Sequence, residues 1–211
     1  TFDYLFRALW AEGGGGIVRV TESGAAPERA PDLEFVSPPL AEALRAQNKY
    51  SNNVMTRNLF LSLGAARFGA PARPDKGERA VREALARHGL PLAKLVVDNG
   101  AGLSRIARVS ARLLGGVLRA AANQPWGAEF ESALPIAGRD GTLRRRFANT
   151  PVAGQAHLKT GSLRDVSALA GYVRAASGRK FAFVMLVNHR NAGEVVPAQQ
   201  ALLEWLIARG G

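Results

Sequence analysis

Ala156-His-Leu-Lys-Thr-Gly-Ser-Leu163 is followed by the apolar run Ala168-Leu-Ala-Gly-Tyr-Val173. The polar turn Ser177-Gly-Arg-Lys180 comes next, and then the continuous apolar run Phe181-Ala-Phe-Val-Met-Leu-Val187. Runs of this length, rich in β-branched and aromatic residues and separated by turn residues, predict a strand, a second strand and a hairpin return. Seven consecutive apolar residues suit a strand covered on both faces, with helices as the cover. Lys159-Thr160-Gly161 then sits on the edge of a sheet beside a cleft.

Upstream of this sheet the pattern changes to helices. Phe2 to Trp10 reads as an amphipathic helix stopped by Gly13-Gly-Gly-Gly16. Ile17 to Thr21 is a short strand candidate, Glu22 to Pro31 a loop, and Leu33 to Val36 an extended piece. Pro38-Pro39 opens a helix through about Gln47 with Leu40 and Leu44 on one face. Val54 to Leu63 is predicted helical, ending at Gly64, and further helices are expected over Gly77–His88 and Val109–Ala122. Ala93 to Val97 reads as extended and leads into the turn Asp98-Asn-Gly-Ala-Gly102. A final helix over about 194–208 places Val195, Val196, Leu202, Leu203, Leu206 and Ile207 on one broad apolar face. The expected class is α+β, a central antiparallel sheet flanked by helices.

At 211 residues and 47% hydrophobic, the chain can bury one sizeable core. The absence of cysteine removes disulfides and thiolate metal sites. No apolar stretch approaches the roughly 20 residues that span a bilayer. The net charge of +11 raises nucleic-acid binding as a rival reading. The layout argues against it: the cations are mostly Arg scattered one or two at a time, Arg144-Arg145-Arg146 is the sole triple, and no nucleic-acid-binding motif accompanies them. A solvated basic surface, or attraction to anionic cell-wall polymers or lipid head groups, explains the charge better.

A second polar triplet, Ser51-Asn52-Asn53, lies between two predicted helices. Paired with Lys159-Thr160-Gly161 it suggests two walls of a serine acyl-transfer site, in which S-x-N and K-T-G accompany an S-x-x-K nucleophile. The one S-x-x-K here, Ser177-Gly-Arg-Lys180, occupies a hairpin turn rather than the first turn of a helix, where the lysine could take the serine proton. It is rejected as nucleophile. The nucleophile segment is therefore expected before Thr1, with this chain a C-terminal portion of a longer protein. Residues 1–32 would be an entry helix and linker, and 33–211 the C-terminal part of the domain that carries this site.

The residues that carry these triplets, together with Val97-Asp-Asn-Gly-Ala-Gly-Leu-Ser-Arg105, Leu134-Pro-Ile-Ala-Gly-Arg-Asp-Gly-Thr-Leu143 and Leu169-Ala-Gly-Tyr-Val173, resemble in order and spacing the class C low-molecular-mass penicillin-binding proteins. This is the D-alanyl-D-alanine carboxypeptidase/endopeptidase family. The chain departs from it in lacking S-x-x-K and in carrying Asn52 where Asp is common. The resemblance implies a transpeptidase-like fold, no cofactor or metal, and a periplasmic location. Its implied partners are peptidoglycan stem peptides and β-lactam antibiotics.

By that resemblance Ser51 relays a proton toward the leaving amine, and Asn53 holds the substrate peptide and the S-x-x-K lysine. Lys159 supplies positive charge, Thr160 and Ser162 offer hydroxyls to the substrate carboxylate, and Gly161 lets the strand approach the ligand. The N–H of Ser162 would be one oxyanion donor. From the residues alone, Ser51 reads first as an N-cap for the helix starting near Asn53 and Lys159 as a surface cation. His88, His157 and His189 lack metal-ligand spacing, His157 reads as a rim or packing residue, and Asp98 and Asp140 as caps of local turns. Trp10, Trp126 and Trp205 read as packing residues. A β-lactamase or esterase on the same fold, or a non-catalytic basic wall-binding module, are the alternative functions.

Overall fold

The computed structural model describes residues 2–16, 24, 29–30, 34 and 36–210. The strand expected at 17–21 lies outside them, as do most of the loop at 22–31 and of the extended piece at 33–36. The chain divides into a unit ending at Ser37 and a unit of Pro38–Gly211. The first contains α1 (Phe2–Glu12), in which Arg7 pairs with Asp3 one turn away and Phe6 stacks on Trp10.

The second unit begins with α2 (Leu40–Tyr50) and α3 (Asn53–Phe68), joined by only two residues, and continues with α4 (Pro74–Arg87), α5 (Ala111–Ala122) and α6 (Gly127–Ala133). It ends with β1 (Ala156–Leu163), β2 (Val166–Arg174), β3 (Lys180–Asn188) and α7 (Val196–Arg209). The expected boundaries shift where packing overrides local preference. Gly64 does not end α3, because it lies against Gly77 of α4, where a Cβ would stand 2.5 Å from the Gly77 nitrogen. Helix α6 leaves no periodic signal in the sequence, since seven residues are too few to show a helical period. The extended piece at 93–97 reduces to a single bridge between Val96 and Arg108.

The three strands form one antiparallel sheet in the order β1-β2-β3, with Lys159 opposite Ala170 and Gly161 opposite Ala168. Alternation of side chains sends Leu158, Leu169, Val173 and Phe183 to one face, where they pack against Leu203 and Ile207 of α7. Ala170, Tyr172 and Val184 go to the other face, against Leu118 of α5. Each such fully buried leucine contributes about 1.5–3 kcal/mol of transfer free energy, so the sheet is held between α7 and α5. Gly171 permits the closest strand contact, since a Cβ there would lie 2.0 Å from the His157 carbonyl oxygen. The Tyr172 hydroxyl donates to the Leu118 carbonyl at 2.6 Å. Burial first, with the Glu131 charge, pushes its pKa up to about 12.

Two details depart from expectation. The buried stripe of α7 is Gln199, Leu203 and Ile207, four residues apart, while Val196 and Leu202 are exposed. Trp10, Trp126 and Trp205 each expose about half their surface rather than filling the core.

Candidate active site

Among the described residues strand β1 is an edge strand, and its outer side is covered only over its first half. Leu158 N–H donates to the Pro135 carbonyl and Ala137 N–H to the Ala156 carbonyl, at 2.8 and 2.9 Å. In an antiparallel ladder alternate residues point their backbone groups to opposite neighbours. Gln155 accepts from Arg174 of β2, so His157, Lys159 and Gly161 bond toward β2, whereas Leu158, Thr160 and Ser162 turn outward. The Ser162 N–H thus points to the sheet edge beyond the covered half.

Ser51 reaches this edge from a helix junction. It is the C-cap of α2, in the left-handed conformation with φ 56° and ψ 49°, and its N–H donates to the Gln47 carbonyl. Asn52 then caps α3, its side-chain oxygen accepting from Met55 N–H at 3.1 Å. The N-cap role considered for Ser51 belongs to Asn52, which frees the Ser51 hydroxyl. Asn53 opens α3, half-buried, and its amide has no hydrogen-bond partner among the described residues.

The two triplets meet. Lys159 Nζ donates to Ser51 Oγ at 2.7 Å, across 108 positions of sequence, and to the Thr160 carbonyl at 3.1 Å. An ammonium has three donors and no acceptor, so Ser51 must accept here, and its own proton is directed away from Lys159. Lys159 has no carboxylate partner among the described residues. Burial alone pulls its pKa below the usual lysine value. A partly desolvated cation beside two oxygens is a seat for an anion. Thr160 contributes a hydroxyl 3.5 Å from that of Thr142, and Ser162 is exposed on the strand. Gly161 keeps this stretch of strand free of a side chain, and the Cβ it lacks would touch only the Ala168 side chain, at 3.4 Å.

One polar residue beside the site carries no signal in the sequence. Lys49, two residues before Ser51, is 9% exposed and donates to the Leu134 carbonyl at 2.6 Å and to Asp140 Oδ2 at 2.7 Å. Asp140 does cap a local turn, accepting from Ile136 N–H at 2.7 Å, but it also holds this distant lysine. Lys49 is the buried residue of α2, whereas Leu40, expected on the inner face, is 63% exposed. His157 is half-buried with Nδ1 3.1 Å from the Glu131 carbonyl. Beyond Ser162, Arg105 in the 98–108 loop pairs with Asp165 at the β1–β2 turn, at 2.8 Å. No group of three or more His, Asp or Glu able to hold a metal occurs among the described residues.

Residues 2–208 match the D-Ala-D-Ala carboxypeptidase 3 (S13) family. The D-alanyl-D-alanine carboxypeptidase of an Actinomadura species is 34% identical over 174 residues, which is 80% of this chain and 32% of that protein. Penicillin binding protein 4 of Haemophilus influenzae superimposes with a TM-score of 0.75 at 29% identity, over 80% of this chain and 40% of that one. Its complex with a novel β-lactam gives 0.70 at 27% identity, over 80% and 42%. The fold is that of the penicillin-binding proteins. The chain spans about a third of the length of the curated relatives it matches.

Proposed function

Because the chain belongs to the D-Ala-D-Ala carboxypeptidase 3 (S13) family, we propose that it supplies two walls of a penicillin-sensitive serine D,D-peptidase site. The third wall is an S-x-x-K segment outside these residues. The substrate is the D-alanyl-D-alanine terminus, or a D,D-crosslink, of peptidoglycan in the bacterial cell envelope. The attacking serine forms an acyl-enzyme as the peptide C–N bond breaks, and water then releases the acyl group.

Each role follows from chemistry the residues can perform. Lys159, which meets no carboxylate among the described residues, receives the free carboxylate of the substrate, together with the hydroxyls of Thr160 and Ser162. Ser51 accepts from Lys159 and directs its own proton toward the leaving amine, which must gain a proton to depart. Asn53 both donates and accepts through its amide, so it holds the substrate peptide and the S-x-x-K lysine. The outward N–H of Ser162 becomes one oxyanion donor, and the N–H of the nucleophile the other. The same seat accepts the carboxylate of a β-lactam. The observation that carries this reading is the 2.7 Å contact between Lys159 Nζ and Ser51 Oγ.

The test is labelling of a full-length protein containing this segment with a fluorescent penicillin. Covalent labelling is expected, and a protein that stays unlabelled overturns the reading. Lys159→Ala should slow acylation at least about tenfold, or about 1.4 kcal/mol of barrier. An unchanged rate removes Lys159 from the mechanism.

A further inference from the structure

The Ser51 hydroxyl and the Lys159 ammonium come from elements with no direct backbone tie between them, so something must fix how far α2 stands from β1. The segment 134–143 does so by bonding to both. On the β1 side, Pro135 and Ala137 pair with Leu158 and Ala156, Ile136 bridges His157, and Thr142 stands against Thr160. On the α2 side, the Lys49 ammonium fills the space between the Leu134 carbonyl and Asp140, whose second oxygen takes the Ile136 N–H. Gly141 completes the fit. Its φ of 54° suits glycine, and a Cβ would lie 2.5 Å from the Lys49 carbonyl oxygen, so the two backbones touch.

A buried lysine is an expensive way to gain stability, because desolvation consumes much of what the ion pair returns. Position is what it secures here, since Lys49 is two residues from Ser51 and its partners flank Pro135, Ile136 and Ala137, which pair with the strand that carries Lys159. We propose that Lys49 and Asp140 form a positioning pair that sets the reach of Ser51 to Lys159 and thereby the rate of acylation. The inference rests on the proposed D,D-peptidase reading. Neither residue touches substrate; both act through Ser51.

Acylation by a fluorescent penicillin, followed by intact mass in the full-length protein, tests this as a double-mutant cycle. Asp140→Asn should slow acylation at least tenfold in the otherwise unaltered protein, yet change the rate of the Ser51→Ala protein by less than twofold. Equal slowing in both backgrounds, as general loosening would give, overturns the proposal, and so does no slowing in either. Asp140→Asn leaves the Lys49 charge unpaired, so Lys49→Met/Asp140→Asn provides a second variant with no stranded charge and the same expected pattern. If neither variant folds, the pair belongs to stability alone and the proposal falls. An unlabelled parent protein overturns the functional reading and this inference together, whereas a labelled parent with unslowed variants overturns only the inference.

Discussion

Ser51 occupies a backbone position that favours glycine. An L-residue held at φ 56° and ψ 49° costs about 1–2 kcal/mol, and the chain bears it where one helix ends and the next begins two residues later. Glycine would end α2 at lower cost but leave Lys159 without its hydroxyl partner. Ser51→Gly should therefore be more stable than Ser51→Ala by about 1 kcal/mol, while both slow acylation to a residual, still measurable rate. Equal urea midpoints would mean the left-handed turn is absent in solution. Lys159 makes a second prediction. Burial lowers its pKa, so on raising the pH it loses its charge before an exposed lysine would, and an unprotonated amine no longer attracts a carboxylate. Acylation by a carboxylate-bearing penicillin should fall along a basic limb below the usual lysine pKa, and Lys159→Arg should move that limb upward. A limb that stays in place assigns it to another group. Both residues were legible in the sequence because each stands in a short triplet with a chemical logic. Lys49 was not: its partner Asp140 lies 91 positions away, and a lysine near a helix C-terminus reads as solvent-facing and favourable to the dipole.

The elements obeyed the sequence where a local period or turn governed them and departed where a neighbour did. The three strands were readable because apolar runs ended at turn residues, and Ser177-Gly-Arg-Lys180 forms the hairpin return as its composition implies. Helix α3 ran past its expected end at Gly64 because the glycine serves contact, not termination. Gly77 is its counterpart on α4, where a Cβ would meet the Phe60 carbonyl oxygen at 2.8 Å. Two helices so close leave no room for a methyl group. Gly64→Ala should therefore destabilise by about 1–3 kcal/mol despite the better helix propensity of alanine. Gly115 in α5 has nothing within 4 Å of the missing Cβ, so Gly115→Ala should stabilise by about 0.5–1 kcal/mol. Denaturant unfolding of the two variants checks the pair. Opposite signs support contact-limited packing of α3 on α4, and two stabilising substitutions would refute it. Helix α7 shows the same limit in another form. Its sequence offers a broad apolar face, but only the Gln199, Leu203 and Ile207 stripe is buried, with Leu206 half-buried against the same core. Gln199 is fully buried because Arg146 donates to it, from a side chain that also stacks over Phe147.

Across the whole molecule the charge is large but its display is reduced by pairing. Arg146 of the sole cationic triple is turned inward, leaving Arg144 and Arg145 exposed. On and around α4, Arg67, Arg73, Arg79 and Arg82 each meet a carboxylate. Such pairs leave the net charge of +11 unchanged, and its cations are scattered one or two at a time along the sequence, which favours diffuse attraction to an anionic polymer over docking at one basic patch. Such attraction is screened over about 8 Å at physiological salt and about 3 Å at 1 M. The proposed carboxylate seat differs in kind, because Lys159 is half-buried and donates through short hydrogen bonds that salt screens far less. The protein should co-sediment with anionic cell-wall material at low salt and be released near about 1 M, while penicillin neither displaces it nor labels it at a rate that follows the release. Retention that persists in high salt, or that penicillin abolishes, would place wall binding in the acylation site and remove the need for a separate electrostatic surface.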